Sequence, residues 1–585
     1  MKHIMQTLTK LIKTPEFIAA VCMLLFVAIG ILSNVSIKNV TLERNGHSEK
    51  ISLPYSGNTK QNFFINFEVV DRLNLPYSMW ILPNDCVESI DVGTKVINLQ
   101  KIKNHCSSSK GITLEDSTLA PHRTPGKTHY SVMLRNLQGP GGIMVSTKTS
   151  STLGLLINSL AIISFALLCT FIARRFRIGK TLTVLFLAGV IFRSAFFLAI
   201  PYKQFSMDVE GHISYIQYIW ESHSIPDDKE CWSCYHPPVY YLAAVPSYVL
   251  GEYLGFPGTS GLQAFSLLLS VLTAFLGILF LRKILDGRNL ILASLLWIFW
   301  PLAIMVSPRI GNDQLFYLLH VLCMWAGISY VKEGHGKYLI VSAVASALAL
   351  WTKTTAIVTL GMFVVFALGG YFANARQLKP TKSEIIAWAL FAATLVTFLI
   401  HVISGGELVG NANALNSSMK VPNELFNYLY FDLRTFLEHP FTSCWSGSLG
   451  RDFFWNFVLK TSMFGEYKML PTATGHTLAT VLSILLLVLI AFAARGFWKN
   501  RLSLVHWILL LHGIAFTGAL IALRAKYPYA CSADFRYILP VLLSFCPFVA
   551  SGITLQDSSL KWKVLGYIGL FAFIITSSVL YIMVM

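Results

Sequence analysis

Residues 181–201 read TLTVLFLAGVIFRSAFFLAIP, and residues 206–220 read SMDVEGHISYIQYIW. The first stretch is apolar but for two threonines, Ser194 and a single charge, Arg193, and a helix needs roughly 20 such residues to cross a bilayer core. The second opens on acids and then alternates polar and apolar groups with a helical period. A membrane crossing that ends on an acid-bearing amphipathic segment sets the frame for the rest of the chain. Apolar runs of crossing length recur near 16–33, 152–172, 181–201, 263–281, 289–306, 314–331, 338–351, 356–373, 385–404, 477–494, 503–523, 537–554 and 564–583. Of the 585 residues, 54% are hydrophobic and 13% charged, against about 25% charged in soluble domains. The fold class read from this is a polytopic all-α membrane protein with about 13 transmembrane helices.

The formal net charge of +17 has an explanation in that topology. With a cytoplasmic N-terminus, the cytoplasmic connections are MKHIMQTLTKLIK, ARRFRIGK, LRKILDGR, VKEGHGK, ARQLKPTK, ARGFWKNR and SSLKWK, and every one is basic. Lys and Arg accumulate on the cytoplasmic side of membrane proteins, so this bias absorbs most of the surplus. No soluble basic domain exists to carry nucleic acid. The same alternation places 34–150, 202–262, 405–476 and 524–536 outside. A bacterial-type inner membrane, with the working face extracytoplasmic, is the expected location.

Residues 1–33 read as a short cytoplasmic end plus the first span, whose length fits an uncleaved anchor better than a signal peptide. Segment 34–150 is polar, with short alternating stretches such as FFINFEVV and HYSVMLRNL separated by SGN, PND and GPGG. Alternation with period two and turn residues between predicts an extracytoplasmic β-sandwich of jelly-roll type. Residues 151–180 make a second span and a basic loop, and 181–585 form the membrane core. Of 10 cysteines, Cys86, Cys106, Cys231, Cys234, Cys444 and Cys531 fall outside, where disulfides persist. Proximity pairs Cys86 with Cys106 and Cys231 with Cys234. Cys-Trp-Ser-Cys lacks the second cysteine pair that a zinc site needs.

Asp208 stands just beyond the outward end of its span, where a carboxylate costs little. GHISYIQYIW continues as an amphipathic helix able to lie in the interface. HPPVYYLAAVPSYVLGEYLG then re-enters with Pro237 and Pro238 at its start, as helices tolerate. A shallow re-entry keeps the run LRK cytoplasmic. Arg193, inside the span, is a functional candidate by its depth, with snorkelling as the alternative. His212 and His236 could hold a divalent metal with Asp208, Glu210 or Glu230; lone histidines in a wet loop are more often hydrogen-bonding groups. No P-loop or dinucleotide glycine fingerprint occurs, which disfavours a nucleotide-sugar donor.

The acid after a core span, the GHISYI helix and the HPPVYYL re-entry resemble the GT-C superfamily of integral membrane glycosyltransferases. The closer resemblance is to the branch containing protein O-mannosyltransferases and the lipid A aminoarabinose transferase. SPRIGNDQLFYLL (Arg309, Asn312, Asp313), LALWTKTTAIV (Lys353) and YPYACSADFRYILPVL (Arg536) extend it over roughly 181–554. The resemblance implies a GT-C-like core that transfers one sugar, with inversion, from a polyprenyl-phosphate donor to a glycan, lipid or protein hydroxyl. Asp208 would be the general base. Lys353, Arg309, Arg536 and Arg193 would contact the donor phosphate. Glu210, His212, His236, Asn312 and Asp313 would support the site or a metal. Many relatives place two acids side by side, whereas Val209 separates Asp208 from Glu210; on a helix Glu210 would point away. The aromatics of 426–467 and the β-domain are candidates for acceptor recognition. Two other functions fit a chain of this kind: a lipid-linked glycan flippase, which would need polar groups along the midplane, and an O-antigen ligase or polymerase, which leaves DVEGHISYI and HPPVYY unexplained.

Overall fold

The structure, a computed structural model, describes all residues other than 1–34, 45, 52–54, 59–61, 72–76, 84–85, 93–94, 101–111, 125–126, 136–139, 150–151, 207, 255, 374–379, 405–418, 446–449, 500–502 and 556–558. The expected span 16–33 and Cys106 lie outside the described residues. The chain divides into two compact units, 1–171 with 250–258 and 172–249 with 259–585.

In the first unit the described strands are β1 (Val35–Arg44), β2 (His47–Lys50), β3 (Tyr55–Asn58), β4 (Phe63–Asp71), β5 (Tyr77–Pro83), β6 (Cys86–Val92), β7 (Lys95–Asn98), β8 (Ile112–Leu114), β9 (Lys127–Arg135) and β10 (Pro140–Thr149). They form a six-stranded sheet, β2-β1-β4-β9-β6-β7, and a four-stranded one, β3-β10-β5-β8, with every pairing antiparallel. Hairpins β1–β2 and β6–β7 aside, successive strands alternate between the sheets. The sequence alternation explains the sandwich. Phe63, Ile65, Phe67 and Val69 of β4 turn inward, as do Met79 and Ile81 of β5 and Val132 and Leu134 of β9, and all belong to one buried cluster. Tyr77 and Tyr130 join the two sheets through their hydroxyls at 2.6 Å.

The second unit is helical. Among the described residues nine helices are long and apolar enough to cross a membrane: Lys180–Ala199, Gly258–Ile284, Asp313–Glu333, Thr354–Ala373, Lys382–Ile403, Ala473–Trp498, Leu504–Lys526, Ala530–Thr554 and Leu560–Val584. The chain is a multi-pass membrane protein. Gly287–Ile298 and Gly336–Leu350 are shorter apolar helices, and Thr152–Arg175 covers the run expected at 152–172. The apolar run 289–306 is not one continuous helix. It stops at Ile298 and restarts as Pro301–Met305, with Trp300 extended between, because proline at 301 removes an amide donor and disfavours helical backbone before it.

A polar chain crosses the apolar core. Ser544 Oγ donates to the Leu509 carbonyl at 2.7 Å, so it accepts from His512 Nδ1–H at 2.7 Å. His512 Nε2 then accepts from His320 Nε2–H at 2.9 Å, and His320 Nδ1 accepts from the Thr359 hydroxyl at 2.8 Å. Each buried polar atom in this row is satisfied, which low-dielectric surroundings demand. The row fastens the helices Asp313–Glu333, Ile357–Ala373, Leu504–Lys526 and Leu542–Thr554 to one another.

Candidate active site

Asp208 precedes the helix Val209–Ser222 with left-handed backbone, φ 55° and ψ 17°. An aspartate that caps a helix has extended backbone and accepts from the first turn. Here there is no side-chain cap bond, so the carboxylate is not consumed by its own helix. It is exposed and accepts from Trp232 Nε1 at 3.2 Å. Trp232 lies in the loop closed by the Cys231–Cys234 disulfide. That loop sits on the helix at Gly211, where a Cβ would collide with Ser233.

Across the same helix lies a buried group of charges. Asp313 begins the helix Asp313–Glu333, and its carboxylate takes Lys353 Nζ on Oδ1, with Arg536 Nη1 3.9 Å from Oδ2. Arg536 Nε also meets Asp534 Oδ2 at 3.1 Å, and its carbonyl accepts from the Tyr317 hydroxyl at 2.5 Å. Lys353 and Arg536 both lie over the Tyr537 ring, at 4.7 and 4.8 Å from its centre. Arg309 is buried within electrostatic reach of Asp313 and His212. Asn312 Nδ2 donates to the Thr352 carbonyl at 3.3 Å, which ties the segment before Asp313 to the one before Lys353. Among the described residues, Lys353 and Arg536 thus pair with Asp313 and Asp534, with Arg309 close by.

Histidine and tyrosine join the two halves. His212 Nδ1 meets the Tyr241 hydroxyl at 2.8 Å, and its ring stacks with His236 at 5.7 Å. Gly311, at φ 156°, passes so close that a Cβ would lie 3.2 Å from His212 Nε2. Burial first, then the Arg309 charge, holds His212 down to about 3; burial does the same to His236, well below its usual range. Both rings are therefore neutral at physiological pH. After burial, His236 feels His212, Lys353, Asp208 and Asp313, so the exposed carboxylate and the buried charges share one neighbourhood.

Other candidates sit elsewhere. Glu210 turns away from Asp208 and pairs with Lys203 at 2.8 Å. Arg193 is apart from the cluster and donates to Ser270 Oγ at 3.2 Å and the Gly189 carbonyl at 3.3 Å. Among the described residues no three His, Cys, Asp or Glu side chains converge as a metal site. Cys86 is disulfide-bonded, whereas Cys444 and Cys531 are free thiols. Sequence reading missed Trp232, Asp534, Tyr537 and Glu466. The run Ala533-Asp534-Phe535-Arg536-Tyr537 held the signal for two of them, since it sets an acid and an aromatic beside the arginine.

Residues 235–403 match the family described as dolichyl-phosphate-mannose-protein mannosyltransferase. The matched stretch lies inside the region whose motifs resemble the GT-C superfamily, and it holds His236, Arg309, Asn312, Asp313 and Lys353. No curated protein matches the chain. Among solved structures, the oligosaccharyltransferase of Archaeoglobus fulgidus in its apo form is 11% identical over 68% of this chain and 55% of its own, with a TM-score of 0.40. ArnT from Cupriavidus metallidurans, also apo, is 14% identical over 65% and 61%, with a TM-score of 0.39. Arabinosyltransferase EmbB from Mycobacterium smegmatis is 11% identical over 96% and 65%, with a TM-score of 0.28. The chain spans between 55% and 65% of the length of these proteins.

Proposed function

We propose that this membrane protein, whose core carries a stretch of the mannosyltransferase family, moves a single sugar from a polyprenyl-phosphate carrier to an acceptor hydroxyl. The reaction would take place at the extracytoplasmic face of a bacterial-type inner membrane. The observation that carries this reading is the gathering of Arg309, Lys353 and Arg536 around Asp313, beside the helix that Asp208 begins. A carrier-linked sugar leaves as a phosphate that gains negative charge. Cations fixed in place before the reaction stabilise that charge without reorganising. Asp313 and Asp534 hold two of them in position until the donor arrives.

Asp208 supplies the other half. Its carboxylate takes the proton of the acceptor hydroxyl as that oxygen forms a bond to the anomeric carbon and the carrier phosphate departs with the electron pair of the broken bond. One displacement inverts the anomeric centre. The neutral imidazole of His236, whose Nδ1 has no hydrogen-bond partner among the described residues, is able to meet a sugar hydroxyl as donor or acceptor, while His212 is held by Tyr241. On this reading the β-sheet unit lies on the extracytoplasmic side, and the acceptor is a glycan, lipid or protein hydroxyl.

The test is mass spectrometry of envelope glycans from a deletion strain, its complement and an Asp208→Asn complement. Loss of one sugar on deletion, restored by the wild type and not by Asp208→Asn at equal membrane level, is the expected result. General-base removal should slow transfer by about 10²–10⁴. Full restoration by Asp208→Asn would move the base elsewhere, and unaltered glycans in the deletion strain would remove the transfer reaction itself.

A further inference from the structure

The six-stranded sheet has a second face, opposite its core. On β4 the buried Ile65, Phe67 and Val69 alternate with outward Asn66 and Glu68, and on β9 the buried Tyr130 and Val132 alternate with His129 and Ser131. The register then aligns one outward row. Thr41 of β1 lies opposite Asn66 of β4, Asn66 opposite Ser131 of β9, and Ser131 opposite Asp91 of β6. Side chains in register share a face, so four short polar groups cross four neighbouring strands in one rung, about 14 Å wide at the usual strand spacing. Taller groups border it: His129 faces Glu68 in one adjoining rung, and Phe64 faces Met133 in the other. The outcome is an open groove of about 310 Å³, within the size range of small-ligand sites.

The groove is held in shape. A bulge in β1 shifts the register between Lys38 and Thr41, with Asn39 at φ 51°. Bulges re-aim side chains, and this one brings Asn39 Nδ2 to Glu68 Oε2 at 2.5 Å. Lys127 fixes the other Glu68 oxygen at 2.8 Å, with His129 at 3.4 Å. Asn66 is likewise held by Glu43 at 3.0 Å. Among the described residues, the side chains of Thr41, Asp91 and Ser131 have no partner, so two hydroxyls and a carboxylate face the groove with their bonding capacity unspent.

We propose that this groove is a binding site for a neutral saccharide. Each sugar hydroxyl both donates and accepts, which a mixed row of hydroxyl, amide and carboxylate groups answers. An anion would meet Asp91 and Glu68. A divalent cation would find no cluster of three ligating acids or histidines there. Phe64, two residues from Asn66 on the same face of β4 and 40% exposed, adds an apolar surface next to the polar row.

The site stands independently of the transfer reaction, and its readout is binding. Full-length protein in detergent is titrated with neutral di- to hexasaccharides of mannose, glucose, galactose and arabinose, followed by ligand-observed NMR. At least one probe should bind the wild type. The double variant Asn66→Ala, Asp91→Ala should weaken it by about tenfold or more, as the loss of two or more hydrogen bonds implies. The near-isosteric pair Thr41→Val, Ser131→Ala, too conservative to unfold the sheet, should weaken it several-fold, while Lys353→Met should leave it unchanged. No binding by any probe at millimolar concentration, or binding that survives both groove variants, would overturn the assignment.

Discussion

Asp208, Asp313 and Glu466 are three carboxyls whose surroundings give them different chemistry. Asp208 is exposed, accepts a hydrogen bond from the Trp232 indole and has no cap to serve. Asp313 is buried but compensated by Lys353 and Arg536. Glu466 is buried with both oxygens unpartnered, and burial, helped by Asp534, pushes its carboxyl well above the usual range. A carboxyl raised in the folded state is protonated there while the unfolded chain has ionised it. Stability therefore falls as pH rises above the unfolded value of about 4.3. Glu466→Gln keeps the shape and removes that penalty, so the detergent-solubilised variant should melt higher than wild type, by more at pH 8 than at pH 5. An equal or lower melting temperature at pH 8 would show Glu466 to be charged in the folded state. None of this was legible in Phe-Gly-Glu-Tyr, because nothing in four residues states that the glutamate will be enclosed.

The helix Val209–Ser222 is the element on which the site is assembled, and two glycines set how closely its partners approach. Gly211 admits the Cys231–Cys234 loop, and Gly311 admits the strand of backbone that leads into Asp313. A methyl at 211 must displace Ser233 and with it Trp232. Overpacking of this kind costs about 1–3 kcal/mol. Gly211→Ala should therefore lower the melting temperature and also slow transfer, whereas Gly361→Ala, at a glycine with open space around it, should do neither. Equal behaviour of the two variants would mean that the loop can shift without consequence. Much of this element could be read in advance: its amphipathic pattern, the helix Val239–Leu254 that follows the paired prolines, and the turn of Glu210 away from Asp208 all follow from spacing. Its contact with Gly311 joins positions far apart in sequence, and such pairings leave no periodic trace.

For the chain as a whole, the proposed topology rests on the charge pattern. Nine of the long apolar runs return as helices of crossing length among the described residues, because a bilayer asks for roughly 20 residues per crossing, and strand alternation marked the sheets because one face of each strand must be dry. The grouping of Arg309, Lys353 and Arg536, which arrive from three separate connections, was expected from the family resemblance alone, because no spacing or periodicity links them. Arg193 sits in a different place because its helix buries it against Ser270 instead. The sidedness is open to a direct check. With a membrane-impermeant maleimide on intact cells, Lys229→Cys should label and Arg288→Cys should not; the reverse would put the site on the cytosolic side. One small feature then has a wider reach. The Trp232 indole occupies Asp208 Oδ1, which leaves Oδ2 for the hydroxyl that the proposed reaction brings. The same ring, half open to its surroundings, would change its light emission whenever that carboxylate gains or loses a guest, a built-in optical gauge of occupancy beside the proposed base.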